Sequence, residues 1–404
     1  MEGQSIEIHD YSAGKYFRRL EAFLGSEGIE QRLASIELEL HTEQGMYLRE
    51  WVYPRLAWWL GFRDARGIMA RGGSFRRAVQ PLMELPLMTA AELSLLHSSM
   101  PEWKSREFAS RLLTDDILDP TLFEIHCAAH FASRGYKIQW FESQSKGGRR
   151  TPEFIAKKGE IEVEVECKAK KADAGRRMER ASFYRTVDQL IPVLRDMELA
   201  GRVYITVPAR LSTSIQWRDG LARTLRKHIS LGSGATVMTG GEHINWSLQP
   251  ANGSVVSIRE LTSQVIAEKG PYAHVAIFGA KVDDHVKDPV TFRLESAKKD
   301  AFLDSVLDSL RDAEAQFTGG RTAIIFCFLP EIASFEGLQF DSAVNKMTDL
   351  FFDKYARKCI NAVCYVSEAK REVGEGVVQA YFPAVTFRNP NYDSHYGENI
   401  PVYG

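Results

Sequence analysis

Three charged residues in TPEFIAKKGEIEVEVECKAKK (151–171) have the types and spacing to do chemistry together. On an extended strand, residues two apart point the same way, roughly 6.6 Å from one another. Glu166 and Lys168 therefore share a face, and a tight hairpin would bring Glu153 within range of both. Two carboxylates converging on one point repel unless a hard cation lies between them. Mg²⁺ is typically held by one or two carboxylates, with waters and substrate phosphate completing its shell. An adjacent ammonium can orient a water and stabilise charge on a phosphoryl oxygen. These parts suit phosphodiester hydrolysis.

The elements that must position them are legible in the pattern. From Ile161 the chain alternates strictly, with Ile161, Val163, Val165 and Cys167 opposite Glu162, Glu164, Glu166 and Lys168. Period-two alternation predicts a strand with one apolar face. TPEFIAKK and EIEVEVECK are expected to pair across a turn at Lys158-Gly159. Glu162 and Glu164, nearer that turn, are expected to be bystanders at its wet end. Upstream, DPTLFEIHCAAHFASRG (119–135) opens on Asp-Pro and closes on Gly135, which predicts a helix. YKIQWFE (136–142) alternates as a strand, and SQSKGGRR (143–150) reads as a polar loop. Downstream, 176–201 predicts a helix with a kink or break at Pro192, and RVYITVP (202–208) a strand. The order is helix, three strands, helix, strand: an α/β unit.

Pro152-Glu153 followed by Glu166-Cys167-Lys168 resembles the signature of the PD-(D/E)xK nuclease superfamily, the restriction-endonuclease-like fold. LFEIHCAAHFASRGYKIQWFE (122–142) is similar to that family's first core helix and strand, where a glutamate often completes the metal site; Glu124 stands there. The resemblance covers 117–210, and the element order matches the family's αβββαβ core. It implies a DNA endonuclease dependent on Mg²⁺, with Mn²⁺ able to substitute, of the kind used in restriction or phage defence. Glu153, Glu166 and the backbone carbonyl of Cys167 would hold the metal, and Lys168 would position the attacking water. Glu124 would support them from behind or bind a second ion. The first acid is glutamate where the family prefers aspartate, one methylene longer. Gln189 is followed four residues on by Val193, so the Gln-xxx-Tyr pattern of the recombination-type exonucleases is absent.

The tripeptide alone carries little, since Glu102-Trp-Lys104 and Glu368-Ala-Lys370 repeat it. Only the 153/166/168 set combines the dipeptide, the hairpin spacing and the upstream helix glutamate. Around it lies a basic cluster expected to touch a phosphate backbone: Lys170, Lys171, Arg176, Arg177 and Arg180, with Arg149 and Arg150 in the preceding loop. Lys146 and Arg185 flank that cluster. HCAAH (126–130) lacks the glutamate of a zinc-protease HExxH, so His126 and His130 read as structural. No GK[ST] follows the glycine turns at 239–243 and 318–321, which excludes a P-loop.

At 404 residues the chain can bury more than one core. Residues 1–115 predict helices, with Trp51, Trp58 and Trp59 as their core and a nucleic-acid stacking surface as the alternative. The nuclease-like core is assigned to 116–250 and an α/β segment or sheet extension to 251–404. Within the latter, Leu294–Phe317 predicts an amphipathic helix that buries Phe302, Val306, Leu310, Ala313 and Phe317. The flanking regions are candidates for homodimerisation or for a partner protein. A net charge of −2 offers no global attraction to polyanions, so any nucleic-acid site must be local. Five scattered cysteines without a CxxC pair, no leading basic-then-apolar segment and no long apolar run read as a cytoplasmic protein without membrane contact. The rival from another class is an inactive nuclease fold serving as a nucleic-acid-binding or scaffolding module.

Overall fold

The computed structural model describes the chain except residues 1–4, 41–53, 72–82, 115–117, 142–150, 171–179, 199, 209–213, 229–231, 239–242, 251–252, 258, 262, 264–272, 300, 330–342, 368–369, 375–376, 398–399, 401 and 403–404. The fold is mixed α/β. A strand β1 (Ser5–His9) leads into helices α1 (Asp10–Leu24), α2 (Ser26–Leu40), α3 (Pro54–Ala70), α4 (Glu84–Leu96), α5 (Glu102–Leu112) and α6 (Leu118–Ser133). Strands β2 (Lys137–Trp140), β3 (Phe154–Lys158) and β4 (Ile161–Ala169) follow, then α7 (Arg180–Asp196), β5 (Gly201–Val207) and α8 (Ile215–His228). Next come β6 (Ser233–Val237), β7 (His243–Pro250), β8 (Val255–Ser257), β9 (Ala273–Val282) and β10 (His285–Ser296). The chain closes with α9 (Phe302–Glu314), β11 (Thr322–Phe328), α10 (Ala343–Lys354), β12 (Ile360–Val366), β13 (Lys370–Gly374), β14 (Val377–Tyr381) and β15 (Ala384–Arg388).

Two compact units result. One comprises Met1–Glu39, Arg49–Ala172 and Leu303–Gly404; the other consists mainly of Asp173–Phe302. The chain thus leaves the first unit after β4 and re-enters it at α9, rather than changing domain near 115 and 250. The first unit holds a six-stranded sheet in the order β15-β12-β11-β4-β3-β2. Its β2, β3 and β4 form an antiparallel meander, β4, β11 and β12 run parallel, and β15 returns antiparallel. A small sheet, β1-β14-β13, belongs to the same unit. The second unit is built on its own sheet, β6-β7-β5-β10-β8, with β9 paired to β10.

The helix and strand expected to complete the core therefore belong elsewhere. Strand β5 pairs with β7 and β10, not with β4, and α7 packs its Phe183, Val187 and Leu190 in that second core. The physical reason lies in the faces. Strand β5 buries every other residue, leaving Arg202, Tyr204 and Thr206 half-exposed, whereas a parallel strand in a sheet covered on both sides needs a continuous apolar run. TAIIFCF of β11 supplies one, buried from Thr322 to Cys327, and it takes the edge of β4. Helix α7 also continues through Pro192 instead of breaking there.

The expected amphipathic helix is shorter than its pattern suggested, because Leu294 to Ser296 finish strand β10. Its apolar face is as read: Phe302, Val306, Leu310, Ala313 and Phe317 are all buried. In the helical region Trp58 and Trp59 pack with Phe17 and Phe62 and are buried, and the Trp58 indole N–H donates to Thr89 Oγ1 at 3.0 Å. They are core, not a stacking surface. Trp51 lies outside the described residues. Among the described residues no helix is long and apolar enough to cross a membrane.

Candidate functional site

The β3–β4 hairpin builds the site. Its turn carries Gly159 at φ +59°, the left-handed region that a side chain disfavours, so glycine sets the reversal. The ladder pairs Phe154 with Val165 and Lys157 with Glu162. Continuing it by one residue sets Glu153 opposite Glu166, and the Glu153 N–H donates to the Val165 carbonyl at 3.1 Å. Directly opposed residues have Cβ atoms about 4.5–5.5 Å apart. By the two-residue alternation, the Cys167 carbonyl leaves β4 on the same edge as that of Val165, beyond the last paired residue of β3.

Glu166 is fully buried, 0 % exposed, and its Oε1 lies 2.6 Å from Lys168 Nζ. Its other oxygen, Oε2, is buried with no hydrogen-bond partner. Burial raises the Glu166 carboxyl to about 7, against the pull of Lys168. Burial also holds Glu153 well above the ordinary carboxylate range, and the charges of Glu124 and Glu166 push it further. A cluster of carboxyl groups that disfavour one another's ionisation is a place where a cation would be welcome.

Glu124 reaches the cluster from α6, which ends where Gly135 adopts φ +82° and the Tyr136 N–H returns to the Phe131 carbonyl at 3.1 Å. Where Glu166 has Lys168 on one oxygen only, Glu124 is met by cations on both. Lys104 Nζ sits 2.7 Å from its Oε1 and Arg111 2.7 Å from its Oε2, both from α5. Glu107 joins them, 3.1 Å from Lys104 and 2.9 Å from Arg111. Lys104 is 3 % exposed and lies over the Phe108 and Trp140 rings at 4.5 and 5.2 Å. The sequence pattern marks neither Lys104 nor Arg111 as a site residue; the one signal it offers is Glu102-Trp-Lys104, a tripeptide that recurs elsewhere in the chain.

Glu162 is paired with Lys157 at 2.6 Å and Arg321 at 2.5 Å, as a bystander would be. Glu164 is no wet bystander. It is fully buried and accepts from the Thr318 N–H at 2.8 Å, from the Thr318 hydroxyl and from Arg321 at 3.2 Å. It anchors the turn before β11. His126 Nδ1 lies 2.6 Å from Glu92 in the core, and burial with the charge of Arg134 holds His130 well below the usual imidazole range. Both are structural. The five cysteines are free thiols, all buried except the half-buried Cys167. Of the basic cluster, Lys170 is half-buried and its N–H continues the sheet to Phe328 at 3.2 Å. Arg180 opens α7 and Arg185 is exposed on it. Lys146, Arg149, Arg150, Lys171, Arg176 and Arg177 lie outside the described residues.

Chemically, the Glu153–Glu166 edge can offer two carboxylates and a backbone carbonyl to a hard cation, with an ammonium alongside. Among the described residues no three His, Cys, Asp or Glu side chains are grouped as a ready metal cage. A cleft of about 540 Å³ lined by Asp308, Arg311, Asp312, Glu314 and Tyr355 shares no residue with this cluster. Compared with protein-family models, curated proteins and solved structures, the chain matches none.

Proposed function

We propose that the protein is a Mg²⁺-dependent phosphodiesterase acting on DNA, an endonuclease of the restriction-endonuclease-like kind. The observation that carries this reading is Glu166. A fully buried carboxylate with one oxygen unpartnered, an ammonium 2.6 Å from the other and a second carboxylate opposite is unfavourable for a fold alone. It becomes favourable once a divalent cation joins it. The element order supports the reading too: α6, β2, β3, β4, α9 and β11 give helix, three strands, helix, strand within one unit.

In this reading Glu153, Glu166 and the Cys167 carbonyl hold the ion. Bound there, Mg²⁺ supplies a Lewis acid for a phosphoryl oxygen and for water. Lys168, oriented by Glu166, offers N–H donors to the attacking water and to the charge that grows on a non-bridging oxygen. Burial strengthens each of these interactions by excluding solvent. Plasmid DNA incubated with and without Mg²⁺ or Mn²⁺ tests it. Nicking by wild type that Glu166→Ala and Lys168→Ala both abolish is expected. Equal nicking by all three would refute the assignment.

One observation favours the rival, an inactive nuclease fold that binds nucleic acid. Glu124 is neutralised by Lys104 and Arg111, so protein cations already offset part of the acidic charge. A metal titration followed by thermal unfolding separates the two. No metal response together with salt-sensitive DNA binding would select the rival.

A further inference from the structure

The carboxylate cluster has two sides of different character. On the β4 side, Glu166 keeps a buried oxygen without a hydrogen-bond partner. On the α5–α6 side, each oxygen of Glu124 faces a protein cation at 2.7 Å, Lys104 on one and Arg111 on the other. Glu153 feels the charges of both sides: Glu124 and Glu166 push its carboxyl up, and Lys104 and Arg111 pull it down. A divalent ion bridging Glu124 and Glu153 would sit beside two fixed positive charges. At 4 Å each such charge repels strongly, because little water is present to screen it.

Resting on the proposed function, we infer that Lys104 and Arg111 occupy, as fixed charges, the position a second metal ion would take, so that the site binds a single divalent cation between Glu153 and Glu166. Lys104 is then a positioning residue. It acts through Glu124, and its ammonium is held by Glu124, Glu107 and the faces of Phe108 and Trp140. Its place on α5 means that the helical region supplies part of the site. That gives the N-terminal helices a role beyond their own core.

The test counts ions. Mn²⁺ is titrated into the full-length chain and bound ions per chain are read by calorimetry and by electron paramagnetic resonance of free Mn²⁺. One ion in wild type is expected, lost in Glu166→Gln. In Lys104→Met, which keeps the stem and removes the charge, a second Mn²⁺ is expected as Glu124 becomes available. Circular dichroism checks that variant's fold, and Arg111→Met makes the same measurement if Lys104→Met does not fold. Two ions in wild type would overturn this inference and leave the phosphodiesterase reading standing. No bound ion at all would remove both. A folded Lys104→Met or Arg111→Met that still binds one ion would also overturn it.

Discussion

At the scale of single residues, the acidic face of β4 divides by partner. Glu162 is paired at the surface, Glu164 is locked to the turn before β11, and Glu166 alone keeps an oxygen without a partner. Removing Glu164 therefore tests structure, not chemistry. Glu164→Ala would remove the acceptor of the Thr318 N–H and hydroxyl and one of the two carboxylates that meet Arg321, and loss of such a charge-assisted set of hydrogen bonds costs roughly 3 kcal/mol. Urea unfolding should show that loss while any metal affinity at Glu166 is retained. A change below about 0.5 kcal/mol would contradict the anchoring role. Gly159 gives a smaller prediction. Gly159→Ala at φ +59° should cost about 1–2 kcal/mol through backbone strain alone, visible as a lower unfolding midpoint with the slope unchanged.

At the scale of elements, sequence patterning reveals the hairpin and α6 but not the neighbour of β4. Alternation fixes which residues share a face, and Gly135 and Gly159 mark where the chain turns. Nothing in a local pattern says which later strand pairs with β4. Thr322–Phe328 is apolar on both faces and takes that position, across an excursion that period counting cannot see. Lys104 is not legible in the sequence for a related reason: it lies on α5, far along the chain from the hairpin, and a lone ExK tripeptide carries no spatial information. Core burial at α9 and β11 predicts its own readout. Leu310→Ala should destabilise the first unit by roughly 2–5 kcal/mol. Native-state amide exchange should be slowest in β4, β11 and β12 and fastest at the outer strands β2 and β15. Equal protection across the sheet would disagree with the strand order.

At the scale of the whole molecule, the buried carboxyls link stability to pH and to metal. Burial raises Glu166 from 4.5 to about 7, and Glu153 well above its ordinary range. A carboxyl raised on folding makes the folded state bind more protons than the unfolded state between those two values, so metal-free stability falls as pH rises. The contribution is full below about pH 4.5 and is lost by the time pH passes 7, on the order of 3 kcal/mol for Glu166. Under the proposed function a divalent ion stabilises the ionised pair and opposes that loss. Mg²⁺ or Mn²⁺ should raise the unfolding temperature at pH 8 and have little effect at pH 5. Glu166→Gln should be more stable than wild type at pH 8 without metal and should show no metal response. A metal-induced shift of the same size at both pH values, or one retained in Glu166→Gln, would contradict the placement of the ion.

The excursion between β4 and α9 also sets a timetable for the chain as it is made. Glu164 and its Thr318 partner are 154 residues apart. At roughly 5–20 residues per second, a ribosome needs on the order of ten seconds to deliver β11 after β4 has emerged. Through that interval β4 has one paired side, toward β3, and one open edge of unpaired N–H and C=O groups, the kind of edge that recruits foreign strands. Chains released before residue 322 should therefore aggregate or occupy chaperones more than the full-length chain does. The strand that carries the proposed chemistry waits through the whole excursion for its second neighbour.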